Sequence, residues 1–165
     1  MRYVIAFLIA VLGCVRTDPQ TVLPPPNLPL DSGHDKLIVF VHGFTGSGEK
    51  TWGLFPKLLR EDSELKGVDV YVWDYPTLLL KRNPSIEDIG QALRTALVEQ
   101  FPAYKSIYLV GHSMGGLVLQ SMVTEELKHG RANNLKRIKH LIFFGTPNRG
   151  TQVPELLKRN MQLVS

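Results

Sequence analysis

The sequence has few of the cysteine and histidine residues that stabilise small folds through disulfides or bound metals. It has one cysteine and five histidines among 165 residues. A single cysteine cannot form a disulfide within the chain, and no cluster of cysteines and histidines has metal-ligand spacing. We therefore expect neither a disulfide framework nor a bound metal, and the sequence indicates no other cofactor. A hydrophobic core must stabilise the fold, and the 44% hydrophobic content allows one.

A concentration of charge is also lacking. The formal net charge is +4, and the lysines and arginines are scattered along the chain. The densest cationic group is Lys136, Arg137 and Lys139, and no aromatic residues alternate with it. Nucleic-acid-binding proteins usually cluster basic residues on one face. We therefore expect these three side chains to be solvated, and we expect no nucleic-acid partner.

No apolar run is long enough to span a bilayer as a helix, which takes about 20 residues. The N-terminus has Arg2, then nine apolar residues at 4–12, then Gly13 and Cys14. This order is typical of an export signal. With the cysteine directly after the glycine, it resembles a bacterial lipoprotein signal, which implies that Cys14 becomes the lipidated first residue. A plain signal peptide or a buried apolar N-terminus is the alternative.

Proline is concentrated just after this segment, with five prolines between residues 19 and 29. Proline removes amide donors and favours an extended chain, so this stretch is predicted to be a tether. We expect a signal at 1–14, a linker at 15–34 and one folded domain at 35–165. The protein would then be exported and anchored to a membrane, with a periplasmic or secreted protein as the alternative.

From residue 35 onward, short apolar runs alternate with segments of helical spacing. A continuous apolar, largely β-branched run predicts a strand at 37–41, and further strands are expected at 68–73, 106–110 and 138–144. Helices are expected at 51–65, from Ser85 onward and at 114–127, and Ser85 with Asp88 is expected to form a capping box. This alternation predicts an α/β fold with a mostly parallel sheet flanked by helices.

One predicted turn from a strand into a helix contains a candidate catalytic residue. The segment Gly111-His112-Ser113-Met114-Gly115 fits G-x-S-x-G and lies between a predicted strand and a predicted helix. So abrupt a turn strains its central residue and brings backbones together, which requires glycine at 111 and 115. It exposes the Ser113 hydroxyl above a helix N-terminus, which favours negative charge. The sequence predicts Ser113 as a catalytic nucleophile, and a glycine-rich turn with a bystander serine is the alternative.

An oxyanion hole needs backbone donors that face the developing negative charge. The amide of Met114 is one candidate. The amide of Phe44, in the loop after the first strand, is the other. His42 precedes a glycine at the strand end, so we expect it to shape this loop rather than to act as a base. His112 is adjacent to Ser113, which turns its side chain away from the hydroxyl, so we expect it to pack.

The chain resembles the lipase and esterase branch of the α/β-hydrolase superfamily in three segments: VFVHGFTGSGEKTW, YLVGHSMGGLVLQSMV and LIFFGTPNRGT. Within that branch it is most similar to GPI inositol deacylases and related serine-active-site lipases. The resemblance covers residues 36–152. It implies Ser113 as nucleophile, the Phe44 and Met114 amides as oxyanion hole, and an ester, thioester or acylglycerol substrate. It also implies that residues 145–148 lead toward a lid.

The resemblance is incomplete after the nucleophile, where this superfamily places an acid and then a histidine. The acids that follow are Glu125, Glu126 and Glu155, and the histidines are His129 and His140. Neither histidine follows the last predicted strand, where the base belongs. We therefore expect a partial α/β-hydrolase fold that lacks its C-terminal strands, and an impaired enzyme. The chain is expected to be a fragment, with a complete but unusual protein as the alternative.

Other functions fit part of the sequence. A non-catalytic, membrane-tethered module could use the apolar pocket of the same fold to bind a lipid or a partner. An acyltransferase would use the same serine and pass the acyl group to an alcohol instead of water. Residues 43–51 are close to a nucleotide-binding P-loop, but Glu49 separates the final glycine from Lys50, which argues against a nucleotide site.

Overall fold

A computed structural model of the chain describes residues 33–77 and 84–148. The described strands are β1 (Lys36–Val41), β2 (Val68–Trp73), β3 (Ser106–His112) and β4 (Ile138–Phe144). They form one sheet in the order β2-β1-β3-β4, and every neighbouring pair is parallel. The predicted parallel α/β arrangement is confirmed. The predicted signal with Cys14, residues 15–32 of the predicted linker, and Glu155 lie outside the described residues.

Four α-helices connect these strands: α1 (Gly48–Trp52), α2 (Phe55–Glu61), α3 (Ile86–Glu99) and α4 (Met114–Lys128). Short 3-10 helices cover Ser63–Leu65 and Ala132–Arg137. α3 begins as predicted, because the Ser85 hydroxyl accepts from the Asp88 amide while the Asp88 carboxylate accepts from the Ser85 amide. None of these described helices is long and apolar enough to cross a membrane.

The single helix predicted at 51–65 is wrong, because the chain breaks it at Gly53. This residue leaves helical geometry with φ 50° and ψ −124°. Pro56 then lies in the first turn of α2, where a missing amide costs nothing. In a continuous helix, its ring would collide with the carbonyl of Trp52 four residues earlier. The break lets Trp52 and Phe55 both pack on Phe40, with ring centroids 4.7 and 5.5 Å away.

The sheet separates two apolar layers. The larger layer lies between the sheet and α3 with α4, and its members include Leu37, Val39, Leu93, Leu109 and Leu119. The smaller one lies on the α1 and α2 side and contains Phe40, Trp52, Val70 and Val110. On that side the end of β4 is open, since Ile142 and Phe144 are 43% and 44% exposed. The carboxyl ends of β1 and β3 therefore sit next to an uncovered apolar surface.

The expectation that the cationic group at 136–139 is solvated is wrong for Arg137. Its guanidinium group donates to the carbonyl oxygens of Leu97, Phe101, Pro102 and Tyr104, at 2.7 to 3.3 Å. These carbonyls lie at and just after the C-terminus of α3, where helical partners are missing. Lys136 and Lys139 are exposed, as expected. Arg137 is thus a helix cap formed by a distant part of the chain.

Candidate functional site

Ser113 lies at the abrupt turn from β3 into α4, as the sequence predicts. Its backbone has φ 52° and ψ −120°, a conformation that non-glycine residues rarely adopt. The hydroxyl makes no capping bond to α4. The Ser113 amide donates to the carbonyl of Phe144 at the end of β4, at 2.9 Å. The neighbouring strand thus holds the strained turn in place, and among residues 33–77 and 84–148 the Ser113 hydroxyl has no hydrogen-bond partner.

The predicted glycines occur where no side chain could fit. A Cβ at position 111 would lie 2.7 Å from the Cα of Gly116. A Cβ at position 115 would overlap the carbonyl oxygens of Val41 and His42 at the end of β1. These close approaches let α4 start directly against the end of β1. Gly111 and Gly115 are therefore needed to pack the turn around Ser113.

The loop after β1 lies against the serine. A Cβ at Gly43 would be 2.9 Å from the Ser113 Cβ, so the next residue, Phe44, is close to the turn. The amide of Gly46 donates to the carbonyl of Gly43 at 3.2 Å, which closes a tight turn. Thr45 within this turn has φ 57°, unusual for a β-branched residue. The structure brings Ser113 together with the loop that carries Phe44.

The two backbone amides expected to form an oxyanion hole are uncommitted. Within the described residues, neither Phe44 nor Met114 donates its amide hydrogen to a protein acceptor. Met114 is the first residue of α4, and the first amides of a helix have no helical partner. Such amides carry a partial positive charge that favours an anion.

His42 is fully buried, and both of its ring nitrogens are engaged. Nδ1 lies 2.8 Å from the carbonyl oxygen of Gly43 and must donate to it, because a carbonyl only accepts. Nε2 accepts from the amide of Tyr75 at 3.3 Å and lies 3.3 Å from a carboxylate oxygen of Asp74. As expected from the sequence, His42 shapes the loop, and it has no nitrogen left to receive a proton from Ser113.

Of the other histidines considered from the sequence, His112 borders the turn, whereas His129 and His140 lie away from it. His112 is exposed, and its ring is edge-on to Trp52 with centroids 6.1 Å apart. His129 caps the far end of α4, 16 residues after Ser113 and about 24 Å along the helix. His140 stacks on Tyr108, four residues and about 13 Å below the end of β4.

The acidic residues after the turn have structural partners. Glu126 is 1% exposed and accepts hydrogen bonds from Arg131 and Asn134, while Arg94 lies 3.0 Å away. Burial alone would raise the pKa of Glu126, but these hydrogen bonds outweigh it and hold the pKa below its usual value. Glu125 pairs with Lys128 at the exposed surface. Both carboxylates belong to the C-terminal end of α4, away from Ser113.

An apolar surface borders the turn. We call it the aromatic patch and define it by the rings of Trp52, Phe55 and Phe144. The Phe144 ring lies 6.1 Å from Trp52 and 6.4 Å from Phe55, both edge-on. Because the Phe144 carbonyl also binds the Ser113 amide, the patch begins directly beside the serine. Sequence periodicity does not reveal this patch, because its members come from α1, α2 and the distant β4.

Comparisons with known proteins place this geometry among α/β-hydrolases. A family model described as a domain of unknown function, DUF7379, matches residues 16–164. The mature lipase BlEst2 of Bacillus licheniformis shares 25% identity at a TM-score of 0.50, over 78% of this chain and 44% of the lipase. An extracellular α/β-hydrolase from a Paenibacillus species shares 24% identity at a TM-score of 0.50, over 67% and 40%. The described fold is therefore part of an α/β-hydrolase fold.

The chain is also similar to the protein SERAC1 of Danio rerio. It is 24% identical over 148 residues, which cover 72% of this chain and 22% of that protein. The chain thus spans about a fifth of the length of SERAC1 and less than half the length of either hydrolase structure.

Proposed function

The chain belongs to the DUF7379 family of unknown function, and we propose that it is a serine hydrolase of the lipase and esterase type that acts through Ser113. One observation carries the proposal above all others. Ser113 lies between a parallel strand and a helix N-terminus with a strained backbone, and its hydroxyl has no partner in the part of the chain that the structure describes. Strain of this kind is retained where it serves a reaction. The structural similarity to a lipase supports the same class of chemistry.

In the proposed reaction, the Ser113 oxygen attacks the carbonyl carbon of an ester. The carbonyl oxygen becomes an oxyanion, which the amides of Phe44 and Met114 would stabilise together with the N-terminus of α4. The tetrahedral intermediate collapses to an acyl-serine and releases the alcohol. Water then hydrolyses the acyl-serine. An alcohol acceptor in place of water would make the same site an acyltransferase.

The proton of Ser113 needs an acceptor for this reaction to be fast. Within the described residues, His42 has both nitrogens engaged, and His129 and His140 lie too far from the turn. The His112 ring is edge-on to Trp52, and no hydrogen bond joins it to Ser113 within these residues. Binding and the oxyanion hole alone give about a thousand- to ten-thousand-fold acceleration over water. We therefore expect the 165-residue chain to acylate slowly.

The aromatic patch supports an apolar acyl chain as the substrate's main binding element. Phe55 and Phe144 are 40% and 44% exposed beside the proposed nucleophile. Covering such apolar area with an acyl chain would be favourable by about 25 cal/mol per Å². A carboxylic ester or thioester of a lipid fits this surface better than a polar substrate does.

We extend the proposal to the N-terminus, where the sequence predicts a lipid anchor. A lipid on Cys14 and a proline-rich linker would hold the hydrolase near a membrane, where lipid esters are found. Growth of the expressing cells with an alkyne fatty acid should label the wild-type protein and not the Cys14→Ala variant. Equal labelling of both proteins would contradict the anchor without affecting the proposal for Ser113.

The test of the catalytic proposal is covalent labelling of the purified chain by a fluorophosphonate probe. We expect slow labelling of the wild type and none of Ser113→Ala. Ser121→Ala is the matched control, because it removes a hydroxyl from the same helix and should label normally. Labelling that persists in Ser113→Ala would contradict the proposal. A folded wild type that never labels would favour the tethered, non-catalytic lipid-binding module.

A further inference from the structure

The segment that follows β2 packs against the loop that carries Phe44. The Tyr75 hydroxyl donates to the carbonyl of His42 at 2.6 Å. A carboxylate oxygen of Asp74 accepts from the amide of Gly48 at 2.6 Å. The proposed function gives neither side chain a role. Tyr75 is nonetheless buried, with 6% of its surface exposed, and it supports the start of the loop.

Tyr75 also fixes the plane of the His42 ring. The two rings stack with centroids 4.2 Å apart and planes 8° from parallel. At the edge of the His42 ring, Nε2 accepts a 3.3 Å hydrogen bond from the amide of Tyr75. A ring held on one face and at one edge has a single orientation. Nδ1 is thereby aimed at the carbonyl oxygen of Gly43, 2.8 Å away.

That carbonyl sets the direction of the proposed oxyanion donor. The carbonyl of Gly43 and the amide of Phe44 belong to one peptide unit, which is planar and trans. In a trans unit, the C=O and N–H bonds point in opposite directions. Whatever fixes the Gly43 oxygen therefore fixes the direction of the Phe44 amide. Tyr75 acts on this unit by two routes. Its ring and amide hold the His42 ring that binds the Gly43 oxygen, and its hydroxyl holds the carbonyl of His42 in the preceding peptide unit.

We propose that Tyr75 is the positioning residue of the oxyanion loop, with Asp74 as its second support. The inference rests on the proposed function, since it takes the Phe44 amide as an oxyanion donor. Tyr75 does not touch the substrate and acts through His42. Burial raises the pKa of the Tyr75 phenol, so the hydroxyl stays protonated and keeps donating. The effect of Tyr75 should therefore appear in the chemical step and not in ligand affinity.

The experiment measures the rate of fluorophosphonate labelling of Ser113 against probe concentration, which separates kinact from KI. Tyr75→Phe removes the hydroxyl and keeps the ring. Losing a whole oxyanion donor costs about a hundredfold or more in rate, so a misdirected donor should lower kinact about tenfold with KI unchanged. Asp74→Ala should lower kinact less. Its side chain is 57% exposed, so this variant should fold.

Tyr71→Phe is the matched control. Tyr71 is as buried as Tyr75, at 1% exposure, but its hydroxyl has no hydrogen-bond partner among the described residues. Burial and the charge of Asp74 raise the pKa of Tyr71 to about 12, so this phenol is protonated too. Tyr71→Phe should leave both kinact and KI unchanged. An equal fall in kinact for Tyr71→Phe and Tyr75→Phe would overturn the inference.

A second measurement separates failure of the inference from failure of the proposed function. If the wild type never labels, the proposed function fails, and amide hydrogen exchange still tests the positioning role. Gly46 and Gly48 donate their amides within the loop and to Asp74. We expect faster exchange of these two amides in Tyr75→Phe than in Tyr71→Phe. Identical exchange, or unchanged kinact in a labelling protein, would overturn the role of Tyr75.

Discussion

The amide of Ser113 donates a 2.9 Å hydrogen bond to the carbonyl of Phe144. This bond ties the strained turn to the last residue of β4, which is one of the two outer strands of the described sheet. The turn is thus held by β4 on one side and by the Gly43 loop on the other. Because the turn is held on both sides, Ser113 can keep a backbone conformation that its own side chain disfavours.

Ser113→Gly should stabilise the fold while it removes the proposed nucleophile. Glycine adopts positive φ without strain, and the lost hydroxyl makes no capping bond. The strain that is relieved exceeds the entropic cost of glycine by about 1 kcal/mol, which raises Tm by about 4 °C. Thermal unfolding checks this, with Ser113→Ala as the control that keeps the strain. A Tm for Ser113→Gly at or below that of Ser113→Ala would show that the turn is not strained.

Gly115→Ala should destabilise the protein although it lies in a helix. Alanine in place of a helical glycine normally gains up to about 1 kcal/mol. Here the new methyl group would overlap the carbonyls of Val41 and His42, so we expect a loss of about 3 kcal/mol. Urea denaturation measures the difference. Thr124→Ala, at an exposed position of the same helix, should change stability by less than about 0.5 kcal/mol.

Local signals were enough to predict most of the described elements. The strands at 68–73 and 138–144 have the predicted bounds, because both runs are mostly apolar and have the length of a strand. The start of α3 was predicted from Ser85 and Asp88 three residues apart, since a capping box is formed by neighbours in sequence. The turn at Ser113 was predictable for the same reason, because its strand, glycines and helix are contiguous.

Features that depend on distant contacts could not be predicted. The helix break at Gly53 was missed because the apolar spacing continues through it, although Pro56 was a usable signal. Arg137 was expected to be solvated, and only the folded chain brings α3 carbonyls to it. The support of His42 by Tyr75 joins positions 33 residues apart through the pairing of β1 and β2. Sequence periodicity carries no information about such pairs.

Arg137→Lys should destabilise the fold although it conserves the charge. The planar guanidinium group donates to four carbonyls from two nitrogens, whereas an ammonium group is a point donor that cannot span them. We expect a loss of about 2 kcal/mol in the free energy of unfolding, measured by urea denaturation. Lys139→Arg, two residues later and exposed, is the control and should behave as wild type. Wild-type stability of Arg137→Lys would show that charge alone is enough.

The ion cluster of Glu126 should make stability depend on acidic pH. Arg131 donates to Glu126 at 2.7 Å and Asn134 at 2.6 Å, and they hold its pKa below the usual value. A carboxylate with a lowered pKa contributes stability that is complete above its unfolded-state pKa, about 4.3. This contribution is lost as the pH falls through the lower folded-state pKa.

Glu126→Gln should therefore be less stable than wild type by about 3 kcal/mol at pH 7, because two arginines lose a buried partner. The difference should shrink steadily below pH 4.3 or so, as wild-type Glu126 takes up its proton. The midpoints of urea unfolding for both proteins, determined between pH 7 and pH 3.5, measure this difference in stability. Glu125→Gln on the same helix removes an exposed pair with Lys128 and should cause a much smaller change. A Glu126→Gln difference that stays constant down to pH 3.5 would mean that the arginines stabilise the fold without sensing the charge of Glu126.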